Sequence, residues 1–153
     1  MATVAFLSIT ASGCRFLVEG TESFVSKDFL RGNWDISSIR MVDGLTLYAG
    51  LNGFAGQPDT DWTLLGNATF TDDRADIRYS VIVTGPVDPP DTTAYAFIGL
   101  FDVDRNTIWI TRDATGEVIS IPIRKEFGGL RGQTTLDGFV LFDGDNNDVH
   151  WVR

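Results

Sequence analysis

The chain has very little of what most catalytic sites are built from. Its 153 residues include one cysteine, Cys14, and one histidine, His150. A single cysteine excludes an internal disulfide. Its one basic neighbour is Arg15, and a thiol without a stronger electropositive setting reads as a strand residue rather than a nucleophile. A zinc site needs several nitrogen or sulfur ligands, and these two residues are the whole supply. His150 stands beside Trp151 in the last apolar run and reads as a strand residue with a wet tip. No Gly-x-Ser-x-Gly elbow and no metal-type histidine pair occurs. No glycine-rich loop opens a helix to cradle phosphate.

Basic charge is also short. Twelve Lys and Arg face twenty-one Asp and Glu, for a net charge of −9. That balance disfavours nucleic acid and anionic membranes as partners, because phosphate binding needs a basic face. The plain reading of the acidity is solubility. No apolar run approaches the ~20 residues of a transmembrane helix. The start, Met1–Thr10, is apolar without a basic leader region and reads as a first strand rather than a signal peptide. A cytoplasmic home is therefore expected, with secretion the alternative had a leader been removed. The sequon Asn67-Ala68-Thr69 matters only in that second case.

Helical periodicity with caps is missing as well, and strand signals fill the chain. Extended runs are expected at Thr3–Thr10, Cys14–Glu19, Ser23–Ser26, Ile36–Val42, Leu45–Ala49, Trp62–Phe70, Ile77–Thr84, Ala94–Phe101, Thr107–Thr111, Glu117–Ile123, Leu136–Phe142 and Val149–Val152. Lys27–Asp35, Leu51–Asp61, Gly85–Thr93 and Arg124–Thr135 read as loops. Asp43-Gly44 is the strongest short hairpin signal and predicts a type I′ turn. Ala94–Phe101 is apolar on both faces, which predicts a strand covered on both sides. About a dozen short strands at near-regular spacing predict an all-β fold: an antiparallel Greek-key sandwich or a closed β-barrel, with a β-trefoil as the alternative. The expectation is one domain over residues 1–153, with two Greek-key-like halves dividing near 85–93 as a variant.

Two stretches echo one another. Leu100–Trp109 and Leu141–Trp151 each spell an apolar pair, then Asp-x-Asp-x-Asn, then a β-branched residue two places before a Trp. The second carries one extra residue, Asp148. Each predicts a hairpin around an acidic turn. A looser echo relates Val25–Gly32 and Asp43–Tyr48 to Ile123–Gly132 and Asp137–Phe142, which points to a duplicated unit or to the ordinary reuse of Asp-Gly and alternation.

The run from Asn33 through Asp43-Gly44 to Tyr48, with Ser37-Ser38 inside it and Phe54 and Gly56 after it, resembles the βγ-crystallin superfamily. Trp34 stands where that family's calcium motif has its second Asn or Asp. A second partial echo, Asp72-Asp73-Arg74-Ala75, has Asp76 and Ile77 in place of the family's two hydroxyl residues. The resemblance covers about a third of the chain. It implies a Greek-key sandwich and a calcium-binding, structural or protease-inhibitor role.

Candidate chemistry follows from these patterns. Calcium wants six to eight oxygens. Asp102, Asp104 and Asn106 alternate by two, as do Asp143, Asp145 and Asn147, so each turn is a candidate calcium site. The same residues are also good turn formers, because they hydrogen-bond their own backbone. Trp34, with Asn33 and Ser37, is the candidate contact for a protein or carbohydrate partner; the alternative is that Trp34 plugs the end of the scaffold. No catalytic residues are assigned. The expected function is a non-catalytic binding module, calcium-binding or partner-recognising through its loops. The alternative is a small barrel enzyme or carrier with an enclosed pocket lined by Tyr79, Tyr95 and Phe97.

Overall fold

Each long strand of this chain alternates apolar and polar side chains, so each has one face to hide, and a sheet that curls shut hides all of them at once. A computed structural model describes residues 24–54, 57–85, 90–128 and 136–153. A one-turn helix, α1 (Lys27–Leu30), leads into β1 (Gly32–Arg40), β2 (Thr46–Tyr48), β3 (Gly50–Phe54), β4 (Gln57–Phe70), β5 (Arg74–Thr84), β6 (Asp91–Asp104), β7 (Thr107–Arg112), β8 (Val118–Gly128), β9 (Leu136–Phe142) and β10 (Asp148–Val152). From β4 to β10 every strand pairs antiparallel with the next. β1 closes the ring, pairing with β10 (Ile36 opposite Trp151) and with β4 (Trp34 opposite Ala68). The result is a closed eight-strand antiparallel barrel with β2 and β3 as additions.

β1 bulges between Ile36 and Ser38. Beyond the bulge it pairs with β2, while the first half of β4 pairs with β3. β2 and β3 thus fill the wedge where β1 and β4 separate, and a bridge from Ala49 to Leu64 joins the two sides. Strand directions give the barrel two different ends. The start of β1, the β6–β7 turn and the chain's last residue gather at one end. The β1–β2 hairpin, the start of β6 and the β9–β10 turn gather at the other.

The first end is plugged. Ser26 caps α1, its Oγ accepting from the Phe29 N–H at 3.2 Å, and Leu30 is fully buried beneath the helix. Trp34 is 1% exposed; its Nε1 donates to the Leu30 carbonyl at 2.6 Å. The Arg153 guanidinium lies 4.4 Å from the Trp34 ring and donates to the Arg31 carbonyl at 2.8 Å. The Asn106 side-chain oxygen accepts from the Val25 N–H at 2.9 Å, tying the incoming chain to the β6–β7 turn. Aromatic rings then continue down the barrel interior. Trp34 meets Phe139 edge-on at 4.9 Å, Phe139 stacks with Trp151 at 6.1 Å, and Trp151 meets Tyr79 edge-on at 6.2 Å. Tyr79 stacks on Tyr95 at 4.6 Å, which brings the column to the second end. Gly66 leaves room for it: a Cβ there would sit 2.7 Å from Tyr79 Cβ and 3.2 Å from Ile36 Cβ.

The barrel settles the architecture among the expected all-β alternatives. Its connections form a meander, so neither a Greek-key sandwich nor a trefoil describes it, and β5 and β6 pair directly across the 85–93 connection. Ala94–Phe101 is covered on one face only: Tyr95, Phe97 and Phe101 point in, while Ala94, Ala96 and Leu100 face solvent, because a barrel wall is a single layer. Lys27–Asp35 is α1 and the start of β1 rather than a loop, and Leu51–Asp61 contributes to β3 and β4. The duplicated-unit echo sets most of α1 against the end of β8, which are different structures, and its remainder near residues 130–132 lies outside the described residues. The strands expected within residues 1–23 lie outside the described residues.

Both echo stretches are hairpins, as their pattern predicts, but they face opposite ways. Leu100 and Trp109 are exposed on the outer wall; Leu141 and Trp151 are buried inside. The type I′ signature falls at Arg105-Asn106, with φ of 44° and 66°. At Asp43-Gly44 the φ of +90° belongs to Gly44, and a longer turn closes through Gly44 N–H to the Met41 carbonyl at 2.9 Å.

Candidate functional site: a cup at the open end of the barrel

Inward-facing residues at the end opposite Trp34 leave a cavity of about 210 Å³. Ile39 and Met41 come from β1 and the residue after it, Trp62 from β4, Val81 and Val83 from β5, and Asp91, Thr93 and Tyr95 from β6. Asn147, from the β9–β10 turn, completes the lining. Period-two alternation explains the set: residues 81 and 83 share one face of β5, and 91, 93 and 95 share one face of β6.

Beneath the cup lies a network of phenols and carboxylates. The Tyr95 hydroxyl donates to Asp145 Oδ2 at 2.7 Å, and the Tyr79 hydroxyl donates to Asp143 Oδ2 at 2.7 Å. Asp143 is 5% exposed. Its Oδ1 accepts from the backbone N–H groups of Asp145 (3.0 Å) and Asn147 (2.9 Å), and its Oδ2 also accepts from Asn147 Nδ2 (3.0 Å). A buried carboxylate is tolerable only when its oxygens are met by donors, and here four donors converge on it. The β9–β10 turn is wound around that carboxylate, with Asn146 in the left-handed region at φ 62°.

The network shifts both phenols upward. The hydrogen bond to Asp145, then burial, then the negative charge push Tyr95 up to about 12. Burial first, then the hydrogen bond to Asp143 and its charge, push Tyr79 further still. Asn147 is 7% exposed and lines the cup. Its Nδ2 donates one of its two N–H groups to Asp143, since a carboxylate can only accept.

The two acidic turns do not converge. Asp143, Asp145 and Asn147 sit at the open end; Asp102, Asp104 and Asn106 sit at the plugged end. Asp102 pairs with Lys27 at 3.3 Å, and the Val103 N–H and that lysine hold its carboxyl below the usual range. Asn106 is occupied with Val25. Among the described residues no group of three or more His, Cys, Asp or Glu is placed to hold a metal ion. Asn33 Oδ1 accepts from the Thr69 hydroxyl at 3.0 Å, and Ser37 Oγ donates to the His150 carbonyl at 3.1 Å. With Trp34 in the plug, none of these three faces the cup. His150 Nδ1 lies 2.8 Å from Glu126 Oε2, away from the cup on the alternate face of β10.

A wider, open concavity of about 530 Å³ lies over Leu65, Ser80, Ala94 and Ala96. Arg78, the cation in its lining, pairs through Nε and Nη2 with Asp76, at 2.7 and 2.9 Å. The cup residues that sequence reasoning passed over are Ile39, Met41, Trp62, Val81, Val83, Asp91 and Thr93. Val81 and Val83 fall in the extended run expected at Ile77–Thr84, whereas 91–93 fall in the loop expected at Gly85–Thr93, where three prolines interrupt the strand pattern. No protein-family model, no curated protein and no solved structure matches this chain.

Proposed function

We propose that this protein is a non-catalytic binding module that holds one small, partly aromatic molecule in the cup at the open end of its barrel. An eight-strand barrel is just wide enough to be filled by side chains or to hold one small ligand. Here, among the described residues, the plugged end is filled and the other end keeps a cavity. An apolar cavity of about 150 Å³ admits benzene, so 210 Å³ suits one ring with a short substituent. The observation that carries this reading is the composition of the wall. Trp62, Val81, Val83, Ile39 and Met41 supply apolar surface, and the buried Asn147 amide, held by Asp143, supplies a fixed polar group among them. That combination, mostly apolar with a few placed polar groups, is what ligand sites share.

The test uses benzyl alcohol as a neutral probe and ligand-observed NMR as the readout. Thr93 is exposed at the rim and lines the cup, so Thr93→Trp should block the cavity while leaving the core alone. Binding by the wild type that Thr93→Trp abolishes supports the proposal. No binding at millimolar probe, or equal binding by the variant, overturns it.

A further inference from the structure

We infer that the cup selects a small organic cation: an arylalkyl amine of about eight or nine non-hydrogen atoms, the size set by the ring that a cavity of this order admits. The inference rests on the cup being the binding site and adds the charge of what enters it.

The wall offers several acceptors. Asp91 at the rim is a carboxylate and accepts only. The Tyr95 hydroxyl already donates to Asp145, so its oxygen can only accept from a ligand. The Asn147 amide has given one of its two N–H groups to Asp143 and keeps the other beside its carbonyl oxygen, on a side chain more than nine-tenths buried. The donors of the wall, that N–H, the Trp62 indole N–H and the Thr93 hydroxyl, are all neutral, whereas the Asp91 acceptor carries a full charge. A ligand that brings only acceptors would leave Asp91 and the Tyr95 oxygen unpaired, which is the costly arrangement. A ligand that brings N–H donors satisfies them.

Charge points the same way. Among the described residues no lysine or arginine lines the cup. Asp91 stands at its rim, and Asp145 and the buried Asp143 stand behind Tyr95 and Asn147. The aromatic members, Trp62 and Tyr95, present rings whose faces attract cations. A carboxylate or phosphate entering this space would meet only negative potential.

The experiment compares three probes with one ring and nearly one size: phenethylamine, 2-phenylethanol and phenylacetate. Affinities are read by NMR titration of the wild type, Thr93→Trp and Asp91→Asn. The expected order is phenethylamine about ten-fold or more tighter than 2-phenylethanol, as one charge-assisted contact supplies, with phenylacetate not binding. Asp91→Asn, at an exposed rim position, should weaken phenethylamine several-fold and weaken 2-phenylethanol distinctly less, since the amide oxygen still accepts but the charge is gone. Equal binding of amine and alcohol, both lost in Thr93→Trp, overturns the cation preference and leaves the cup as the site. Binding of none of the three overturns both. Preference for phenylacetate overturns the cation preference outright.

Discussion

The Tyr79 hydroxyl reaches the Asp143 carboxylate across 2.7 Å, between residues 64 apart in the chain. That contact ties the middle of β5 to the β9–β10 turn and sets the floor of the cup. Tyr79→Phe removes one of four donors from a buried carboxylate. Losing a hydrogen bond to a charged group costs about 1.5–3 kcal/mol. Urea unfolding should show a lower midpoint with an unchanged slope, the mark of lost stability rather than altered compactness. A midpoint equal to the wild type would mean that the Asp143 carboxylate does not depend on this donor.

The phenols give a pH signature. Both are held protonated in the folded state, Tyr95 up to about 12 and Tyr79 above it, against ~10 for an unfolded tyrosine. A raised folded value means that the protonated form is the stabilised one. This contribution is complete below pH ~10 and is lost as the pH climbs from there through the folded value of each phenol. Absorbance titration should find the Tyr79 and Tyr95 phenols still protonated at pH ~10, where an unfolded tyrosine is half ionised. Phenolate absorbance from these two at that pH, lost in Tyr79→Phe and Tyr95→Phe, would contradict the hydrogen-bonded floor.

Trp34 makes the opposite demand from a surface anchor. Replacing a buried aromatic by alanine costs about 3–5 kcal/mol, so Trp34→Ala should unfold far more readily than the wild type. Arg153→Ala should cost less, about 1–2 kcal/mol, for a stacked cation that also meets a carbonyl. Chemical denaturation measures both. A Trp34→Ala protein within ~0.5 kcal/mol of the wild type, the range of a surface change, would return Trp34 to the surface role that its neighbourhood of Gly32 and Asn33 first implied.

Calcium has a direct check. An ion bound only by the folded chain raises its melting temperature. At Asp143 it would have to displace the Tyr79 hydroxyl, the Asn147 amide or a backbone N–H, and at Asp102 it would compete with Lys27. The expected outcome is a melting midpoint that is the same in excess calcium and in chelator. A rise of several degrees, abolished by Asp104→Ala or by Asp145→Ala, would show which turn takes the ion.

Much of this was legible in the sequence wherever the signal was local. The two Asp-x-Asp-x-Asn hairpins formed as read, and the extended run Ile77–Thr84 lies within β5. Tyr79, Tyr95 and Phe97 cluster as rings, with Tyr95 the one of the three that lines the cup. What stayed hidden depended on distance along the chain. Closure of the ring rests on β1 meeting β4 and β10, for example Trp34 opposite Ala68 and Ile36 opposite Trp151, and no local pattern encodes such a pairing. The same Asp-x-Asp spacing also serves two ends, one around a lysine and one around a tyrosine. Only the fold decides which partner arrives.

The most direct test of the cup is methyl NMR on the folded protein while benzyl alcohol is added. Ile39, Met41, Val81 and Val83 line the cavity, whereas Val25 and Leu30 lie at the plugged end and Leu65, Ala94 and Ala96 on the outer wall. The account predicts saturable shifts at the first group and silence at the other two. Shifts centred on the outer wall, or no shift at Val81 and Val83 at any concentration, would contradict it.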